Sequence, residues 1–322
     1  MKYRKQPCEV CAADDWQVLG RRTYVSSAIK CASDYEKKRL LVLFERWFPG
    51  CLAVELEWLC CVRCGFVMYS PRPEESDIDE KYRFLEELGQ DAGQLCASSV
   101  EQRRSELLWR YLRRRVDLAG VRSVLDYGGG DGHLMRAFRE NGMSCSLVDY
   151  SRNCAPGMVK LADTIDRVPA ECIFDLIICN HVIEHVADPL RVVKTLIRHL
   201  RNDGHLFVEV PMEMWKRVPS PREPVTHINF FTPNSMWNLI RLAGVQTLRS
   251  ELTEYLHPHD KWLPCVRALA TPGVTTTSRR SVMRSVDVNK YIHPDLCTKM
   301  RYYSANRRAL LRVVARRPRP QL

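Results

Sequence analysis

A carboxylate followed by three glycines at alternate positions, Asp126-Tyr127-Gly128-Gly129-Gly130-Asp131-Gly132, is the segment whose residue types most narrowly prescribe a chemistry. Glycine lets the backbone turn sharply and approach a ligand with no side chain between them. A second carboxylate, Asp149, stands 23 residues after Asp126. A strand-helix-strand unit places an acid there to accept both hydroxyls of a ribose. Together these residues prescribe a nucleoside-bearing small molecule lying across the carboxyl ends of parallel strands. A turn that serves packing alone is the plainer alternative, and a second acid at the right distance argues against it. Nicotinamide and flavin sites also use a glycine turn with a distal acid, but their turn reads GxGxxG and this one reads DxGxGxG.

Cysteine supplies a second chemistry. Cys8-x-x-Cys11 and Cys61-x-x-Cys64-Gly65 have the form of two zinc knuckles, and four thiolates satisfy a tetrahedral structural zinc. The glycine after the second pair lets backbone amides turn toward sulfur. The two pairs are 49 residues apart, Cys60 duplicates one position, and Cys31 and Cys51 are spare candidates; free thiols or a redox pair are the alternatives. The polar start Met1 to Val10 lacks the apolar stretch of a secretory signal, so the expected compartment is a reducing cytoplasm. Fourteen cysteines there read as metal ligands and buried thiols rather than a disulfide framework.

The elements that must position these residues follow from hydrophobic period. Residues 121–271 alternate short apolar runs with helical patterns, which predicts a mainly parallel sheet with helices on both faces. Strands are expected at Ser123 to Tyr127, Cys145 to Asp149, Phe174 to Cys179, His205 to Val210 and Gln246 to Leu252. Leu263 to Ala270 is ambiguous between strand and helix. Helices are expected at Leu134 to Glu140, from Asp188-Pro189 through His199, and from Thr232-Pro233 through Leu242. The segment from Val159 to Ala170 matches no pattern sharply. Before this body lie a cysteine- and aromatic-rich zone, residues 1–91, closing at Ser70-Pro71-Arg72-Pro73 and Glu74 to Leu88, and a connecting helix within 92–120. After it comes a basic tail, residues 272–322, expected to be partly disordered or to form a docking helix.

Charge is unevenly placed. The net charge of +11 sits almost wholly from Arg279 onward, where twelve Lys or Arg face Asp287 and Asp295, so the first 278 residues are near neutral. A near-neutral body disfavours gripping a polyphosphate chain, and nucleic acid remains an option through the tail alone. No apolar run approaches the roughly 20 residues of a membrane span.

With those residues in place, Ser123 to Ala243 resembles the class I methyltransferases that use S-adenosylmethionine (SAM). The resemblance rests on the glycine turn and on Phe174-Asp175-Leu176-Ile177-Ile178-Cys179-Asn180-His181-Val182-Ile183-Glu184-His185-Val186-Ala187-Asp188-Pro189. It implies a Rossmann-like α/β domain of seven strands. It also implies that Asp126, Gly128, Gly130 and Gly132 surround the methionine part of SAM, that Asp149 and Tyr150 serve the ribose side, and that Asn180 and His181 form the rim beside the sulfonium. Asp163 is the expected adenine-side acid. Cys61 to Tyr82 resembles the zinc-binding front domain of sugar C-methyltransferases, which implies a small zinc-ribbon-like domain at the substrate cleft. Those proteins continue into a large C-terminal α/β domain, where this sequence has about 50 residues of basic tail.

The reaction so implied needs in-line alignment and often a base. His181, Glu184, His185, Glu223 and His227 compete for that work, and imidazole suits proton transfer near neutrality. His227, in a proline-stiffened segment expected to cross the strand ends, is expected as base or substrate contact, with Glu223 and His181 beside it. For Glu184 and His185 helix capping is an equal alternative. The expected function is methyl transfer to a small polar acceptor, with a nucleotide-linked sugar as the leading class and C-, O- or N-methylation open. An RNA methyltransferase and a SAM-fold adaptor without catalysis are the competing readings.

Overall fold

Alternation along the central strands decides the layering. In the computed structural model, which describes residues 7–89, 99–214, 219–220, 224–273 and 291, strand β7 (Phe174–Asn180) points Leu176 and Ile178 to one side and Ile177 and Cys179 to the other. All four are fully buried. Strand β4 (Ser123–Tyr127) divides the same way, Val124 to the first side and Leu125 to the second. Strands apolar on both faces are stable only when helices cover both. The first face packs against Leu112 of α3 (Ser99–Arg113) and Phe138 of α4 (Arg136–Glu140). The second packs against Val193 and Leu196 of α5 (Pro189–Arg198) and Leu239 of α6 (Pro233–Leu242).

The sheet has seven strands in the order β10-β11-β8-β7-β4-β5-β6. Here β5 is Ser144–Val148, β6 Met158–Ala162, β8 Leu200–Pro211, β10 Val245–His257 and β11 Lys261–Pro272. The pairs from β6 through β8 are parallel, while β11 runs antiparallel to both β8 and β10. This is the Rossmann-like order expected for the fold, with the carboxyl ends of β4, β5 and β7 along one rim. Leu263 to Ala270, ambiguous by period, is strand, because it lies between two partners in an antiparallel ladder. Strand β6 escaped the sequence pattern because it is an edge strand, with Val159 exposed and none of its five residues buried. Strand β8 starts at Leu200, five residues before its expected first residue, and α3 runs from Ser99 to Arg113, inside the expected 92–120. The expected caps are present: Asp188 accepts the amide of Arg191 before Pro189, and Thr232 accepts that of Ser235 before Pro233.

The front of the chain forms an antiparallel sheet of β1 (Trp16–Val25), β2 (Ala53–Cys61) and β3 (Val67–Ser70), with α1 (Asp34–Leu41) inserted and α2 (Glu75–Glu87) following. Its fourth strand, β9 (Asn229–Phe230), comes from the segment after β8 and pairs with β3 through Val67↔Phe230 and Met68↔Asn229. Aromatic side chains lock this exchange, with Trp58 against Phe230 and Phe66 against Phe231 at ring separations of 5.7 and 5.2 Å. Burying each phenylalanine contributes about 1.5–3 kcal/mol. Arg72, 2% exposed, donates to the Asn229 side-chain oxygen at 2.7 Å, and Asn229 donates to the carbonyls of Ile183 and Val186. One apolar cluster therefore runs from the cysteines through Phe230 to the sheet core. Among the described residues, no helix is long and apolar enough to cross a membrane. The basic tail lies outside the described residues except for Tyr291, which packs against this cluster.

Candidate functional site

At the end of β4 the glycine turn adopts the conformation its composition demands. Gly128, Gly130 and Gly132 have φ of +71°, +62° and +81°, the left-handed region that only glycine enters at little cost. Space is as restrictive as conformation at Gly129, where an added Cβ would lie 2.0 Å from Oδ2 of Asp126. Asp126 is completely buried beneath the turn, and neither of its oxygens has a hydrogen-bond partner. Burial first, then the nearby charge of Asp149, pushes its carboxyl up to about 8. Asp149, just after β5, accepts the amides of Gly130 and Ser151 at 2.9 and 2.7 Å and so tethers the turn to the next strand.

A cavity of about 420 Å³ opens in front of this turn. Asp126, Gly128 and Gly130 line one side; Asn180 and His181 follow from the end of β7; His227 closes the other side. Gly132 packs instead beside Met158. Tyr150 and Asp163 line a neighbouring cavity of about 890 Å³, which meets the first at His185 and Thr226. In that cavity Tyr150 donates to Asp79 and stacks on Tyr82, while Asp163 pairs with Lys160 at 2.6 Å. Glu223 lies outside the described residues.

Around His181 the cavity wall is built of charged groups, of which the sequence singled out His181 and Glu184 but not Glu209 or Arg267. His181 holds a φ of +57° and hydrogen-bonds through its amide to the Glu209 carbonyl, a strained conformation of the kind that clusters at functional sites. Its ring sits between Glu184, 3.4 Å from Nδ1, and Glu209, 3.2 Å from Nε2. Burial opposes the imidazolium, but the two carboxylates outweigh it and raise the pKa to about 9, so His181 is a cation at neutral pH. Arg267 pairs with the other oxygen of Glu209. Burial lowers His185 to about 3, aided by His227 and Lys81, leaving a neutral ring whose Nδ1 meets the Thr226 carbonyl at 2.6 Å. His227 is oriented by Glu213, 2.6 Å from its Nδ1, and its ring lies 4.7 Å from that of His185.

Glu184 does not cap a helix. The cap of α5 is Asp188, and Glu184 is 1% exposed with no hydrogen bond to either oxygen. Glu209 and Glu213 were missed. An acid within the otherwise apolar run Leu206-Phe207-Val208-Glu209-Val210 was the available signal for the first, because a buried charge must be paired. For Glu213 no local signal existed, since its partner is 14 residues away across a turn.

The four knuckle cysteines converge. Cys8, Cys11, Cys61 and Cys64 are all buried, their sulfurs lie within 4.8 Å of one another, and the cross pairs Cys8–Cys64 and Cys11–Cys61 stand at 3.6 and 3.5 Å. A tetrahedral thiolate set at about 2.3 Å from zinc has edges of about 3.8 Å, so the cluster fits a zinc-binding module. Cys60 turns its sulfur to the Cys61 carbonyl, and Cys31 and Cys51 are exposed.

Known proteins share part of this chain. Residues 99–250 match a family model described as a methyltransferase domain. The ubiquinone biosynthesis O-methyltransferase of Xanthomonas oryzae pv. oryzae (strain PXO99A) is 31% identical over 115 residues, 30% of this chain and 46% of that protein. The protein of the same name from Coxiella burnetii (strain Dugway 5J108-111) is 29% identical over 152 residues, 42% of this chain and 63% of that one. The chain thus spans about half the length of the curated relatives it matches. Among solved structures, Burkholderia thailandensis 1,6-didemethyltoxoflavin-N1-methyltransferase is similar at 18% identity and a TM-score of 0.43, covering 62% of this chain and 87% of that one.

Proposed function

We propose that the chain, whose residues 99–250 match a methyltransferase-domain family model, transfers a methyl group from SAM to a small polar acceptor. The observation that carries this reading is one cavity with two unlike ends: a glycine turn over the orphaned carboxylate of Asp126, and a cluster of histidines and acids around His227. Asp126 fits the donor, because a buried acid without partners accepts the α-ammonium of a methionine. Asp149 would take the ribose hydroxyls, with Tyr150 and Asp163 toward the base, and Asn180 and His181 would border the sulfonium. SAM supplies the electrophilic methyl; the chain orients it, excludes water and receives the acceptor.

The proposed contact of the acceptor's reacting group is His227, whose ring Glu213 holds in place. His181, cationic between two carboxylates, is a donor rather than a base. The proposed acceptor class is a nucleotide-linked sugar, supported by the resemblance of the cysteine module to that of sugar C-methyltransferases. The second cavity, joined to the first at His185 and Thr226, would take the base of the donor beside Tyr150 and Asp163. Zinc at Cys8, Cys11, Cys61 and Cys64 is proposed as structural, holding the front sheet that β9 completes.

Calorimetry with SAM tests the donor: no binding would remove the enzyme reading. Methyl transfer from labelled SAM to a panel of nucleotide sugars, beside RNA, tests the acceptor. Transfer to RNA that is lost with salt and on truncation at Arg279 would replace the sugar reading.

A further inference from the structure

Glu184, His185 and His227 face one another at the acceptor end of the cavity, and we propose that they bind a divalent first-row metal cation through one carboxylate oxygen and two imidazoles. Their ligand atoms all lie within 4.8 Å of one another. A single point therefore stands within about 2.8 Å of all three, so side-chain shifts of less than about 1 Å reach metal–ligand distances of about 2.0–2.2 Å.

Independent features point the same way. Glu184 is 1% exposed, and both its oxygens lack a hydrogen bond while its Oε1 stands 3.7 Å from Nε2 of His185. The cationic ring of His181 faces this carboxylate from 3.4 Å without hydrogen-bonding it, so the oxygens of Glu184 keep lone pairs free for a second cation on the side of His185 and His227. Both rings are also oriented as metal ligands usually are. Nδ1 of His185 donates to the Thr226 carbonyl and Nδ1 of His227 to the Glu213 carboxylate, each at 2.6 Å. Such outer partners fix the tautomer that carries the lone pair on Nε2. A carboxylate–histidine pair and a carbonyl–histidine pair flanking one buried acid is more than two histidines need for packing.

The donor set decides the class of ion. Two nitrogens and one oxygen suit Zn²⁺, Mn²⁺, Fe²⁺ or Co²⁺, whereas Mg²⁺ and Ca²⁺ prefer oxygen cages and Cu⁺ prefers sulfur. Three protein ligands leave positions open toward the cavity, and the ligand they would take is an acceptor oxygen. In this respect the inference rests on the proposed function and sharpens it. A proton and a cation compete for the same imidazole lone pairs, so in the metal-loaded chain His227 is a ligand and the cation holds the acceptor.

The full-length chain with its cysteines loaded with zinc is titrated with Mn²⁺, followed by the loss of the free Mn²⁺ paramagnetic resonance signal. The expected result is one saturable Mn²⁺ per chain, weakened at least 10-fold in Glu184→Gln and in His185→Ala, with a Mn²⁺-dependent rise in the melting temperature of the wild type alone. Absence of saturable binding to the wild type, or equal binding by folded Glu184→Gln and His185→Ala proteins, would overturn the site. The wild-type titration decides the matter even where a variant does not fold. SAM affinity, read by calorimetry on the same samples, separates failure of the metal site from failure of the methyltransferase reading.

Discussion

Replacing Asp126 by Asn is expected to stabilise the ligand-free chain at alkaline pH and to cripple donor binding. An ordinary aspartate ionises near pH 4 in the unfolded chain, whereas Asp126 in the fold keeps its proton to about 8, because burial and then Asp149 oppose its charge. Between those two values the folded chain binds more protons than the unfolded one, so stability is highest below pH 4, falls as pH rises, and has lost its full amount above pH 8. The loss between pH 5 and pH 8 is roughly 3–4 kcal/mol at 1.36 kcal/mol per pKa unit. Asn removes that slope, but it leaves a neutral amide unsatisfied in the same place at a cost of about 1–3 kcal/mol. The variant should therefore melt near or below the wild type at pH 5 and roughly 5 °C above it at pH 8. SAM should bind about 100-fold more weakly, since the ammonium loses its buried counter-charge. Scanning fluorimetry at the two pH values and calorimetry with SAM make the measurement. An unchanged wild-type pH slope in the variant, or wild-type SAM affinity, would refute the argument.

Other outcomes follow from the same geometry. His227→Ala should keep SAM affinity and lose at least about 100-fold in turnover, with Glu213→Gln intermediate because it only orients the ring; single-turnover assays with labelled SAM distinguish them. Gly129→Ala should abolish SAM binding, because its Cβ would sit 2.0 Å from Asp126, and calorimetry on folded protein reads this directly. Asn229→Ala should destabilise by about 3 kcal/mol or more, measured by urea denaturation, because Arg72 and the carbonyls of Ile183 and Val186 lose a shared buried partner. Metal analysis should find one zinc bound to the cysteine set. Its removal, or Cys64→Ala, should lower turnover as well as the melting temperature, because β9 ties that sheet to the segment carrying His227; Cys31→Ser and Cys51→Ser should change neither.

What could be read from the chain alone was local. The glycine turn, the ends of β4, the Asp188-Pro189 and Thr232-Pro233 caps and the spacing of the cysteine pairs depend on backbone conformation, a few neighbouring hydrogen bonds and residue size. Those constraints act within a handful of residues, so residue order records them. The central strand β7 was equally legible, because burial on both faces leaves a continuous apolar run. Edge strand β6 was not, since one unpaired, half-exposed side relaxes that demand. Still less visible were the groups that make the cavity specific. Glu184 meets His227 across 43 positions, His181 meets Glu209, and Asn229 joins Arg72 across 157 positions. The first and third pairings exist because β9 crosses over to the front sheet and brings its flanking loop to the rim of the parallel one, and the second because β7 and β8 lie side by side. Residue type and spacing thus determined that a nucleoside-bearing donor could lie on a glycine turn. The tertiary structure decided which acids and histidines meet it, because burial and charge pairing depend on neighbours distant in sequence.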